Sequence, residues 1–131
     1  MPFDHWIDHD RNWVFARFTG TVNLEEVLRL IDVCRGEPVA GLIDFTGCTG
    51  ISLGVDDLWE CAKYEHEAEE RWGEGRMAKR VAILTPQLLL YGLLRIYQAF
   101  RRDFFGRQIK PELRAFQSRD KALEWLEAGE D

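Results

Sequence analysis

The chain has 131 residues, 46% hydrophobic and 12% aromatic, with a formal net charge of −6. This is the size of one domain, taken here as residues 1–131, with enough apolar side chain for a core, so wholesale disorder is excluded and a general nucleic-acid binder is not expected. No run approaches the roughly 20 apolar residues of a membrane span, and the acidic start MPFDHWIDHD lacks a secretory leader's apolar stretch, so a cytoplasmic, soluble domain is expected.

In chain order, Trp6–His9 and Trp13–Thr19 predict two strands of a hairpin, with Asp10, Arg11 and Asn12 at the turn. Asn23 stands where a helix N-cap belongs, with Glu26 three residues on as in a capping box. Leu24, Val27, Leu28 and Ile31 share one face of that helix, and Gly36 and Pro38 stop it. Val39–Phe45 is a nearly continuous apolar run, as in a strand covered on both faces, and Gly47, Gly50 and Gly54 mark a loop after it.

A second helix is predicted from about Val55 to Trp72, with Val55, Leu58, Trp59, Ala62 and Tyr64 on its apolar side and the run Glu65 to Glu70 solvated. Arg80–Leu84 predicts another buried strand, and Thr85 then caps a third helix that has Pro86 in its first turn and reaches about Phe104. Leu113–Phe116 is the last strand. Ser118 or Asp120 caps a final helix carrying Ala122, Leu123 and Leu126, closed by Gly129. The order is β-β-α-β-α-β-α-β-α. It predicts an α/β fold with a mixed, mostly parallel sheet flanked by helices, the hairpin lying at one side.

Three cysteines, Cys34, Cys48 and Cys61, are odd in number and too widely spaced for a CxxC-type metal site, so they are expected to be reduced core residues. His5 and His9 sit among Asp4, Asp8 and Asp10, but on a strand they would lie about 13 Å apart, too far for one ion. No metal and no cofactor is expected. The letters Gly50-Ile51-Ser52-Leu53-Gly54 match the spacing of a nucleophile elbow, yet His66 is the only histidine after Ser52 and lies on the very next helix.

The segment Val39-Ala40-Gly41-Leu42-Ile43-Asp44-Phe45-Thr46-Gly47-Cys48, with its strand ending in Asp and a Gly-containing turn, resembles the central strand of the STAS and SpoIIAA-like fold. Tyr91-Gly92-Leu93-Leu94-Arg95-Ile96-Tyr97-Gln98 is similar to a segment of a SpoIIAA-like branch, as is the close FxxxxxALxWL formed by Phe116, Ala122, Leu123, Trp125 and Leu126. The resemblance spans about residues 13–127. It implies a non-catalytic interaction or small-ligand-binding domain of the kind that includes anti-sigma-factor antagonists. In those proteins a serine of an Asp-Ser-Ser-Gly loop is phosphorylated. Here Ser52 and Gly54 match while Ile51 and Leu53 do not, and Ser52 reads equally as the cap of the second helix.

Two candidate sites follow. Asp44, Thr46 and Ser52 are expected to line one polar cleft, because open α/β sheets bind ligands outside the carboxyl ends of their strands. On the third helix, Leu89, Leu93, Ile96 and Phe100 suffice to cover a sheet face, so Leu90, Leu94 and Tyr97, with Tyr91, Arg95 and Gln98 at the rim, are expected to form an interface or an apolar pocket. A homodimer, a protein partner or a small apolar ligand are the expected occupants. The alternatives are a small serine hydrolase using Ser52 and, from lipid-carrying relatives of the fold, an apolar ligand carrier. Charge is segregated: Asp56 to Glu74 holds eight acids and two bases, and Arg95 to Arg114 holds six bases and two acids.

Overall fold

The computed structural model describes residues 3–34, 39–72, 80–85, 87–106 and 112–128. Its elements are β1 (Phe3–Asp8), β2 (Trp13–Asn23), α1 (Leu24–Val33), β3 (Ala40–Ser52), α2 (Val55–Trp72), β4 (Arg80–Leu84), α3 (Leu88–Phe105), β5 (Glu112–Phe116) and α4 (Arg119–Ala128). The element order is the one read from the sequence. The five strands lie side by side in chain order, β1-β2-β3-β4-β5. Only β1 is antiparallel, and every later pair is parallel.

The hairpin turn is set by Asp8, whose Oδ1 accepts from the backbone N–H groups of Asp10 and Arg11, and by Asn12, which takes the left-handed conformation at φ 59°. The first strand starts three residues earlier than the sequence suggested and ends one earlier, at Asp8. His5 therefore lies in β1 opposite Ala16, and His9 falls in the turn. Asn23 caps α1 as expected, its Oδ1 accepting from Glu26 N at 3.0 Å. The stops assigned to Gly36 and Gly129, and the place of Pro86, lie outside the described residues.

β3 departs most from expectation. Gly47 and Gly50 are not loop residues. They belong to a 13-residue strand whose second half pairs with Thr19–Asn23 of β2, with register shifts between Arg17 and Thr19 and between Gly20 and Thr21. A Cβ on Gly47 would stand 2.9 Å from the Phe18 carbonyl oxygen, so the glycine is there for a close backbone approach.

Strand alternation divides the core in two. On one face Val14, Ala16, Phe18, Ile43, Phe45, Val81 and Ile83 pack against α1 through Leu30 and Cys34 and against α3 through Leu90. On the other, Trp13, Phe15, Leu42, Ala82 and Leu84 pack against Ala122 and Leu126 of α4, which Ser118 caps by accepting from Lys121 N. A third cluster, Ile31, Leu58, Cys61, Ala62 and Tyr97, joins α2 to α1 and α3. The crossover helices α1, α2 and α3 thus all lie on one side, and among the described residues α4 alone covers the other.

Candidate functional site

α3 presents two faces with different fates. Leu90 and Tyr97 are buried and Leu94 is half-buried, all turned toward the sheet and α2. Gln98 donates from Nε2 to the Leu113 carbonyl at 2.7 Å, fastening the helix to β5. Tyr91 and Arg95 are exposed. The rotation expected for the helix is therefore corrected. Leu90, Leu94 and Tyr97 face inward, where they line a pocket and are not open to an interface, whereas Leu89 and Ile96, expected against the sheet, face out. Apolar residues cover half the circumference, so the sequence alone left the phase of the helix open.

The outward stripe was missed. Leu88 and Leu89 are 81% and 64% exposed, and Tyr91 and Ile96 are exposed beside them. Leu89, Gly92, Ile96 and Ala99 recur at spacings of three, four and three residues, the interval of a helix-pairing seam, and all are exposed. That spacing was the available signal. The helix starts at Leu88 with Gln87 as its N-cap residue, without a side-chain cap. Thr85, expected to cap it, is buried, and its Oγ1 accepts from Gln87 N at 3.3 Å. Gln87 Nε2 also donates to the Cys48 carbonyl at 2.6 Å, tying the exposed end of α3 to β3.

The inward face of α3 bounds a cavity of about 110 Å³ between the sheet and α1, α2 and α3. Its walls are almost wholly aliphatic and aromatic, with Val27, Ile31, Ile83, Leu90, Leu94 and Tyr97 among them, and Cys34, Cys61 and Glu65 complete the lining. Glu65 is not on a solvated face. Its carboxylate is buried 3.1 Å from Arg101 Nε. Burial, aided by the Glu65 charge, pushes the Cys34 and Cys61 thiols up to about 12. Both therefore stay protonated and weakly nucleophilic at neutral pH. The Tyr97 hydroxyl is buried with no hydrogen-bond partner among the described residues.

Asp44, Thr46 and Ser52 do not share a cleft. Asp44 Oδ1 accepts from both the N–H and the hydroxyl of Thr46, at 2.8 and 2.6 Å, and Arg119 approaches its other oxygen at 3.9 Å. Asp44 pairs with Arg17 and Ser52 with Asn23. Six rises of β2 therefore separate them, about 20 Å. The physical reason is that all three residues lie on β3, which continues as strand from Asp44 to Ser52 instead of turning back.

Ser52 is the exposed last residue of β3 and does not cap α2. Asp57 does that from inside the first turn, its Oδ2 accepting from Gly54 N at 2.8 Å. His66 lies eleven residues into α2, about 16 Å along the axis. There it contacts Glu70 at 3.2 Å and stacks on Phe104. A Ser52–His66 pair is therefore not assembled, and the hydrolase reading loses its base. Among the described residues no group of three metal-ligating side chains comes together.

The family model described as SpoIIAA-like matches residues 13–127. Among solved structures, the unphosphorylated anti-sigma factor antagonist SpoIIAA is similar over 95% of this chain and 97% of its own, at 15% identity and a TM-score of 0.52. An anti-sigma factor antagonist from Mycobacterium paratuberculosis aligns over 95% of this chain and 94% of its own, at 11% identity and a TM-score of 0.44. No protein of curated function matches the chain. The first likeness carries the fold, a five-stranded, mostly parallel sheet with four helices.

Proposed function

We propose that this chain, which belongs to the SpoIIAA-like family, is a non-catalytic regulatory interaction domain that docks its partner on the outer face of α3, and that the first occupant of that face is a second copy of itself. The observation that carries this reading is the exposed stripe Leu89, Gly92, Ile96 and Ala99. Leaving large apolar side chains in water forgoes roughly 1.5–3 kcal/mol each. An antiparallel pairing about a two-fold axis sets Leu89 against Ala99 and Gly92 against Ile96, large opposite small at every level. Gly92 favours this fit, because nothing lies within 4 Å of where its Cβ would stand.

Charge supports the same occupant. α2 packs beside α3 and exposes Asp56, Glu60, Glu67 and Glu70, while the outer side of α3 exposes Arg95 and Arg102. Two copies apposed through α3 bring each basic helix toward the other's acidic one. The likeness to SpoIIAA, described as an anti-sigma factor antagonist, supports a role in protein interaction rather than catalysis.

Disulfide trapping tests the pairing. A chain carrying Gly92→Cys and Ile96→Cys should cross-link quantitatively to a covalent dimer under mild oxidation, while Leu88→Cys alone, off the seam, should cross-link slowly. Equal slow cross-linking of both would overturn the antiparallel arrangement. The three native cysteines are buried and do not compete.

A further inference from the structure

We infer that the docking face is completed by α2 and that Trp59 is its anchor: in the paired molecule, Leu89 of each copy seats in a notch formed by Trp59 and Phe100 of the other. The inference rests on the antiparallel pairing proposed above and adds a residue, on a different helix, that the seam of α3 does not contain. Trp59 is 40% exposed. Its ring stands edge-on to Phe100, with centroids 5.2 Å apart, and lies 4.7 Å from Phe104, so it bridges the crease between α2 and α3. Val55, one turn earlier on the same face of α2, is 52% exposed. On α3, Phe100 lies one turn beyond Ile96. The exposed apolar surface therefore passes from Ile96 of the stripe through Phe100 to Trp59. A half-exposed tryptophan in such a crease is the residue type that most often dominates the energy of an interface.

Symmetry decides what covers it. Setting Leu89 against Ala99 and Gly92 against Ile96 puts the two-fold axis level with Leu94. That axis is perpendicular to both α3 helices, so it reverses position along the helix and keeps both α2 helices on the same flank of the pair. Leu89 lies about 7.5 Å from the axis along α3, and Phe100 lies about 9 Å from it in the opposite direction. The two-fold therefore brings each Leu89 to the level of the other copy's Phe100. Around the helix the two residues differ by only about 20°. Phe100 leans toward α2, since it touches Trp59, and Leu89 leans the same way. Leu89, 64% exposed, thus arrives on the flank where the other copy's Trp59 stands, above the small Ala99. The two α2 helices leave room for this. Trp59 sits beside Phe100 and His66 beside Phe104, so α2 runs in the direction of α3 and away from the axis, and the acidic helices of the two copies diverge. Within one copy Leu89 and Phe100 are about 16 Å apart along the helix, so Leu89 and Trp59 can meet only across the pair.

The test follows the full chain labelled with fluorotryptophan through a dilution series, with its mass measured in parallel by sedimentation equilibrium. The fluorine resonance of Trp59, assigned with Trp59→Phe, should move over the same concentrations at which the mass doubles, while those of Trp13 and Trp125, on the other side of the sheet, stay fixed. Leu89→Ala and Trp59→Ala should each weaken pairing by about tenfold or more. The double variant should be weakened by clearly less than the product of the two, because either change alone already breaks the shared contact. The fluorine measurement needs no truncated side chain and decides the matter even if Trp59→Ala fails to fold. A wild type that stays at the single-chain mass overturns the pairing and this inference together. A wild type that doubles its mass with the Trp59 resonance unmoved, or with the two losses simply multiplying, overturns the Trp59 anchor alone and leaves the pairing standing.

Discussion

Glu65 of α2 and Arg101 of α3 meet at 3.1 Å with side chains 5% and 2% exposed. The pair fastens α2, which joins the core through α1 and α3, to the helix that bounds the cavity. Taking two charges out of water is expensive, and their attraction offsets that only while both are present. Arg101→Ala should therefore destabilise the fold by about 3–5 kcal/mol, by taking from the buried Glu65 carboxylate its arginine charge. Replacing both, Glu65→Leu with Arg101→Met, should recover most of that loss. Urea unfolding of the three chains checks this, and a double variant as unstable as the single one would show that the pair is worth more than its volume.

Two glycines should respond oppositely to the same change. At Gly47 an added methyl meets the Phe18 carbonyl oxygen at 2.9 Å, so β2 and β3 must part. Gly47→Ala should be destabilising by about 1–3 kcal/mol, the range for forcing extra volume into a packed site. At Gly92 the methyl enters open space within a helix. In the Ile96→Glu background, which removes the pairing, Gly92→Ala should be stabilising by up to about 1 kcal/mol through helix propensity. Thermal unfolding monitored by circular dichroism separates the two.

The cysteines make stability fall at alkaline pH. Burial raises Cys34 and Cys61 from an ordinary 9.0 to about 12. Below 9 the thiols are neutral in both the folded and the unfolded chain, and their contribution is fully present. As pH rises from 9 toward 12 the unfolded chain ionises and the folded one does not, so stability is lost over that window. The Cys34→Ala, Cys61→Ala double variant should be less stable at neutral pH, because it leaves cavities. Its stability should nevertheless decline less steeply above 9 in parallel urea titrations. At neutral pH a thiol reagent should modify the folded wild type only at the rate of its opening.

Element order, the parallel sheet and the Asn23 and Ser118 caps were legible because each has a local signal: an apolar run, a capping residue, a helical period. The second half of β3 was not, since Gly47 and Gly50 carry turn chemistry in sequence and become strand only when β2 lies beside them. Glu65 looked like one acid in a solvated run. Its burial depends on Arg101, 36 positions away. The candidate site was half legible. The sequence showed that α3 has more apolar surface than one face needs. It did not fix the helix rotation, so the outward residues are Leu88, Leu89 and Ile96 rather than Leu90, Leu94 and Tyr97. The cleft of Asp44, Thr46 and Ser52 assumed that eight residues beyond Asp44 the chain had turned back, whereas it continues as strand.

The claim that α3 is a docking face for a second copy is tested most directly by sedimentation equilibrium of the wild type beside Ile96→Glu. The wild type should sediment at twice the chain mass of 15.3 kDa at tens of micromolar. Ile96→Glu should sediment at the single-chain mass with an unchanged circular dichroism spectrum, because Ile96 is exposed and its replacement leaves the core intact. A wild type that remains at 15.3 kDa throughout, or an Ile96→Glu chain that still doubles it, would contradict the account.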